Sequence, residues 1–267
     1  TALPATARMK PILLNLSFIL CLVAEFKRAI LAKSSLTRQA SRVEFRQTRY
    51  NAANFKGDKM KSIKEAMLSR HSCRKFCSDK LNSELVREIL DLARLSPSSC
   101  GLEPWRMMII SDPCELKELS VACNSQPQVA ECSHAVILIA RNDLRVGEEY
   151  LERTVRRRAN TPQKYEAAMN YFRAKFADLD DEALMNYATK QLYILAANIA
   201  NIAEGFDVRS CIMTGFDAAA LEKFCALETK FRPAIVVALG RGEPSKYPHT
   251  RYELDEILIS RGGSEKR

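Results

Sequence analysis

Three serines and two prolines crowd one turn of this chain, Ser96-Pro97-Ser98-Ser99-Cys100-Gly101-Leu102-Glu103-Pro104-Trp105-Arg106. The prolines forbid a continuous helix. A turn of this make-up offers backbone N–H groups and hydroxyls to a polar or anionic ligand. The plainer reading is a helix-to-strand loop with Trp105, the only Trp, as a core plug. Little else competes for chemistry. There is no acid–base pair, no activated nucleophile and no Gly-x-Gly-x-x-Gly loop, which argues against a Rossmann nicotinamide domain. Three histidines (His71, His134, His249) and nine scattered cysteines with no Cys-x-x-Cys pair give no metal-ligand pattern. Buried, reduced thiols of a cytosolic protein are the simplest account of the cysteines.

The elements that must hold this turn follow from periodicity. Ahead of it, Leu85, Ile89, Leu92, Ala93 and Leu95 recur at helical spacing, so a helix runs from Glu84 to about Leu95, capped by Asn82 or Ser83. Behind it, Met107–Ile110 is a short strand stopped by Ser111-Asp112-Pro113. Ser62–Arg70 reads as a helix, and Asp112 or Pro113 opens another through about Ala122. Ala135–Ala140 and Ala234–Leu239 are continuous apolar runs, hence buried strands; Arg209–Met213 is a shorter one. Residues 144–180 are charged and helical. Asp178, Asp180 and Asp181 precede a long helix from about Glu182 to Glu204 that ends at Gly205. Leu192–Ala203 is apolar nearly all round, as a helix buried on several sides would be, and a subunit interface supplies such burial. Asp217 caps a helix through Cys225. This mixture predicts an α+β protein with a mixed sheet and helices on both faces.

A chain of 267 residues suits one domain with a sizeable core. Its net charge of +9 invites a nucleic-acid or membrane partner, but the charge is not spread evenly. Residues 1–59 carry 11 Lys and Arg against 3 Asp and Glu; the other 208 carry 30 against 29. The folded part is near neutral, so neither partner is expected of it. Arg8 and Lys10 ahead of the apolar run 11–24 look like a signal peptide. Alternatively, Lys56–Met60 can be encoded by a purine-rich run just ahead of an ATG codon. On that reading 1–59 is an upstream leader, the fold is 60–267, and the protein is cytoplasmic.

Four segments in order carry a family resemblance. Ser96-Pro97-Ser98-Ser99 followed by Glu103-Pro104-Trp105 resembles the signature of the FMN-dependent nitroreductase family. So do Arg70-His71-Ser72-Cys73-Arg74-Lys75-Phe76, Cys211–Asp217, and Leu239-Gly240-Arg241-Gly242 with the tail Arg251–Ile257. The resemblance runs from about Met60 to Ser260 and points to the oxygen-insensitive NAD(P)H branch. It implies a three-layer α/β/α sandwich, an intertwined homodimer, and a substrate-covering helical insert at about 144–180, where the residues alone are equally consistent with a plain surface hairpin.

FMN brings a phosphate dianion, a polyhydroxyl chain and a large apolar ring, so its site needs cations, hydrogen-bond partners and a dry wall. The resemblance assigns Arg70, His71, Ser72 and Arg74 to the N-terminal flavin-binding segment. It assigns Pro97, Ser98 and Ser99 to the wall under the ring, and Arg251 to the phosphate. Thr214 and Gly215 match the pair whose backbone N–H meets flavin N5. Without it, Arg70 and Arg74 read as solvated surface arginines. Thr214 stands where many members have Glu, His249 where a Lys is frequent, and Gly101 where Asn is frequent. Ser125 and Gln128 replace an Asn and a Lys, and Gln128 retains hydrogen-bonding capacity for the flavin edge. The implied activity is hydride transfer from NADH or NADPH, through FMN, to nitroaromatic, quinone or similar planar electron-poor acceptors, with ping-pong turnover. The alternatives are another chemistry on the same flavin fold, or a basic protein that grips nucleic acid or membrane through residues 1–59.

Overall fold

The structure is a computed structural model that describes residues 60–261; the readings of residues 1–59 lie outside the described residues. Helix α1 (Ile63–Ser69) starts at a capping box in which Ser62 and Glu65 satisfy each other's backbone N–H groups. In α2 (Ser83–Ala93) the Asn82 side chain caps the N–H of Glu84, and Val86, Ile89, Leu90 and Ala93 form the buried stripe. The serine-rich turn leads into β1 (Trp105–Ile110). Asp112 caps α3 (Pro113–Ala122), and a short α4 (Pro127–Glu131), unforeseen in the sequence, precedes β2 (His134–Arg141). Two helices, α5 (Glu149–Arg156) and α6 (Pro162–Lys175), fill the charged stretch, with Phe172 and Phe176 stacked at 5.8 Å. Asp180 caps the long α7 (Asp181–Gly205), which leads to β3 (Arg209–Met213), α8 (Ala218–Cys225), β4 (Phe231–Gly240) and the short α9 (Leu254–Ile257).

The four strands form one sheet in the order β1-β2-β4-β3. Every pairing between them is antiparallel, which corrects the mixed sheet expected from sequence. An apolar run marks a strand buried on both faces but carries no information about its direction. Here the helices between paired strands return the chain to the end it left, so partners run in opposite senses. Among the described residues the one parallel contact is an isolated bridge, Ser72 to Ser210.

Period-two alternation along the central strands builds two cores. Val136, Leu138 and Ala140 of β2 join α2, α5, α6 and α7 on one face. Ala135, Ile137 and Ile139 join α3, α4 and α8 on the other. The result is the expected α/β/α sandwich. All eight residues of β2 are buried, and each large apolar side chain there contributes about 1.5–3 kcal/mol. Pro233, which cannot donate to the ladder, sits where the β2–β4 register slips between Leu138 and Ile139. Trp105 is a core residue of the first face, as the plainer reading had it. Of the eight described cysteines, five are buried, but Cys77, Cys100 and Cys114 are exposed, so the buried-thiol account holds only in part. Among the described residues no helix is long and apolar enough to cross a membrane.

Candidate functional site

The segment Arg70–Phe76 is laid along the end of the sheet by backbone bonds. Cys73 N–H donates to Ser210 O (2.9 Å), Cys77 N–H to Arg241 O (2.8 Å) and Glu243 N–H to Lys75 O (3.1 Å). This contact requires glycine at 242, where a Cβ would collide with Cys73 Sγ and come within 2.8 Å of Lys75 O. The clasp opens a cavity of about 710 Å³ lined by Arg70, His71, Ser72 and Arg74 on one side and by His249 and Arg251 on the other. Among the described residues its one carboxylate is Glu243, which Lys75 engages at 2.6 Å and holds below the ordinary carboxylate range. Arg70 and Arg74 have no ion-pair partner among the described residues. Arg251 Nη1 donates to Thr250 O (2.6 Å), and His249 Nδ1 lies 3.3 Å from Leu68 O. The cavity is therefore strongly cationic, with guanidinium groups suited to bidentate oxyanion binding.

Ser72 and Arg74 also line a second cavity, of about 430 Å³, with Gln126, Gln128, Thr214 and Gly215. The N–H groups of Thr214 and Gly215 meet no acceptor among the described residues. The Gly215 carbonyl does accept, from Gln126 Nε2 at 2.7 Å. Gln128 is buried and donates to Gln126 Oε1 (2.7 Å) and Met213 Sδ (3.5 Å). Gln126, which sequence reasoning passed over, thus ties the β3 exit to α4. The preceding Asn124 and Ser125 both take left-handed backbone, φ +56° and +54°.

Pro97, Ser98 and Ser99 line neither cavity, so one chain brings the expected site residues together as two separate groups. Ser98 Oγ already accepts from Glu103 N–H (2.9 Å), and Ser99 N–H donates to Gln191 Oε1 (2.9 Å) on α7. Cys100, Gly101 and Glu103 have φ of +53°, +57° and +50°, a strained run held from outside. Arg158, just past α5, donates to Cys100 O (2.7 Å) and Gly101 O. Tyr150 OH donates to Glu103 O (2.5 Å), with Leu102 O 3.0 Å from the same oxygen. Burial pushes the Tyr150 phenol up, keeping it a donor. Neither Arg158 nor Tyr150 was assigned to the site from sequence, because carbonyl partners leave no mark on it.

The clasp, the β3 exit and the serine-rich turn occur in a fixed order along the chain, and that order is what a family description can match. The statistical model of the nitroreductase family matches residues 67–241. The chain belongs to the nitroreductase family. Over 213 residues it is 30% identical to a Staphylococcus saprophyticus protein with the provisional name NAD(P)H nitroreductase, covering 74% of this chain and 95% of that one. Its fold resembles that of a nitroreductase-like protein from Streptococcus mutans (TM-score 0.67, 21% identity, 74% and 97% of the two chains). It also resembles a protein from Exiguobacterium sibiricum, provisionally named a nitroreductase, solved in complex with FMN (TM-score 0.65, 18% identity, 77% and 100%). Membership in this family makes the chain an oxidoreductase.

In this nitroreductase-family chain one buried carboxylate braces the cationic cavity from behind. Glu204, 1% exposed in the last turn of α7, accepts from Lys61 Nζ (2.7 Å), Ser69 Oγ (2.6 Å) and Arg209 Nη1 (2.5 Å). Lys61 also pairs with Asp207 at 2.6 Å. Burial alone would push the Glu204 carboxyl up, but the bonds from Arg209, Lys61 and Ser69 outweigh it and hold the group below the ordinary range. Ser69 ends α1 and Arg70 is its C-cap, so the carboxylate fixes the origin of the Arg70–Arg74 segment. The sequence held a signal for it: an acidic residue in a helix's last turn opposes the dipole unless cations answer it.

Proposed function

We propose that this chain is an NAD(P)H-dependent FMN oxidoreductase acting on nitroaromatic, quinone or similar planar acceptors. One observation carries the reading: Arg70 and Arg74 and the N–H groups of Thr214 and Gly215, all without a partner among the described residues, line two adjoining cavities that share Ser72 and Arg74. The donor set fits FMN. Arg70, Arg74, His249 and Arg251 would hold the phosphate, with His71 and Ser72 beside it. Gln128 would meet the pyrimidine edge, and the Thr214–Gly215 amides would face N5. A backbone donor serves there whatever the side chain, so Thr214 in place of a family Glu leaves this contact intact. Bound FMN would supply the redox chemistry, taking hydride from NADH or NADPH and passing it to the acceptor. If both use the same flavin face in turn, turnover is ping-pong.

The second group, Pro97, Ser98 and Ser99, would reach the flavin from another copy of the chain. Apolar side chains left bare on one copy support a homodimer: Ile63 is 85% exposed, Leu68 67% and Ile259 95%. Leu254 (65%), Ile257 (64%) and Leu258 (58%) are exposed as well, and a second copy seated on these segments would cover them. The test is purification. The reading expects yellow, dimeric protein that bleaches with NADH or NADPH and recovers its colour with a nitroaromatic or quinone, and that keeps its activity when residues 1–59 are deleted. Folded protein that is colourless, monomeric and indifferent to added FMN refutes it. Loss of function on deleting 1–59 would favour the basic-appendage reading, which rests on the charge excess there.

A further inference from the structure

A third cavity, of about 340 Å³, lies between the Cys100–Leu102 turn and helices α5 and α6. It starts at Cys100, the residue after Ser99, and is at the small end of ligand pockets. Its walls are apolar: Leu102 from the turn, Val155 from α5, and Ala168 and Phe172 from α6. Two cations stand among them, Arg158 and Lys164, and among the described residues no carboxylate lines the cavity. Arg158 is spent on the Cys100 and Gly101 carbonyls, with Glu103 Oε1 3.4 Å away. Lys164 is not: its ammonium has no hydrogen-bond or ion-pair partner among the described residues. Nor does it serve its helix, since it sits in the first turn of α6, where the dipole disfavours a cation. The larger hollow on the other side of α5 and α6 differs, because Glu152 and Glu166 there offset Arg156 and Arg173.

We infer that this cavity is an acceptor subsite for an apolar body ending in a carboxylate, an aryl or short acyl acid, with Lys164 as its counter-ion. The inference rests on the reductase reading and adds a charge preference to it. The apolar walls would bury the body, and Lys164 at the cavity rim would select the anionic head over an uncharged isostere. An exposed ion pair of this kind is worth about 1 kcal/mol, or about fivefold in specificity.

The test uses the full chain loaded with FMN, so that the Arg70–Arg251 cavity is filled and cannot bind the probe. The probes are 4-(4-nitrophenyl)butanoate and its primary amide. The wild type should show a kcat/KM about fivefold higher for the acid, a preference that shrinks as salt rises. Lys164→Ala should abolish the preference by raising KM for the acid alone, and Lys164→Glu should reverse it; the residue is on the surface, so both variants should fold. Equal specificity for acid and amide in the wild type, or an equal loss for both in Lys164→Ala, overturns the inference. If neither probe is turned over, it is the reductase reading that fails, and equilibrium dialysis of the acid decides the cavity. Binding weakened by Lys164→Glu supports the subsite, and unchanged binding refutes it.

Discussion

Replacing Glu204 by Gln removes one negative charge from beneath two cations while keeping the shape of the side chain. The carboxylate is 1% exposed, and its three donors come from the segment before α1, from α1 itself and from β3. Breaking a fully buried pair costs about 3–5 kcal/mol, and a single charged hydrogen bond is worth about 1.5–3. Here Lys61 and Arg209 are each about one quarter exposed (24% and 23%), and Lys61 keeps Asp207. Water and Asp207 therefore recover part of the loss, and the expected cost is about 2–3 kcal/mol, or about 4–12 °C in Tm for a domain of this size. The pH dependence has a definite sign. The folded carboxyl lies below its unfolded value, so its contribution is present above the unfolded pKa and fades as pH falls through the folded one. Thermal unfolding of wild type and Glu204→Gln at pH 7 and along a series down to pH 3 measures both effects. The two curves should converge in acid, and the variant should release FMN more readily at neutral pH because Arg70 follows directly from α1. A Tm change below 1 °C at pH 7, or a gap that widens in acid, would refute the reasoning.

Gly242→Ala should cost about 1–3 kcal/mol, because Cys73 Sγ and Lys75 O leave no room for a methyl group; chemical denaturation would read the loss, and FMN content should fall with it. Asp143→Asn should destabilise by about 3–5 kcal/mol, since it strips the buried Arg141 of its partner while that guanidinium stays 3.3 Å above the Tyr150 ring; calorimetry and faster proteolysis of the 98–103 turn would show it. Among the described thiols, alkylation mapped by mass spectrometry should reach Cys77, Cys100 and Cys114 first. Burial pushes Cys132 up to about 12, and Cys123 and Cys225 up to about 11, so these three should stay unmodified until the protein unfolds.

Local signals in the sequence were dependable where the physics is local. Asn82, Asp112, Asp180 and Asp217 cap helices as their side chains dictate, and the apolar runs 135–140 and 234–239 are strands. Strand direction was not legible, because it depends on where the intervening helices deliver the chain. Helix α4 escaped notice because five residues are too few to display a period. At the site, the family resemblance assigned Arg70, Arg74 and Gly215, whereas residue types alone read the two arginines as solvated. Gln126, Tyr150 and Arg158 act on backbone carbonyls, and a carbonyl looks the same at every position. Pro97–Ser99 lies apart from the cationic cavity in one chain, as it would if these residues served the flavin of another copy in the proposed homodimer.

The cationic cavity is closed by residues 69–75 and 243–251, near the two ends of the described chain, with both sheet cores threaded between them. A ribosome would therefore finish nearly all of the sandwich before the second half of the cradle left its exit tunnel. On the proposed reading, FMN capture would wait until residues 243–251 are free of the ribosome, and a message truncated after β4 should yield a protein that folds yet stays apo.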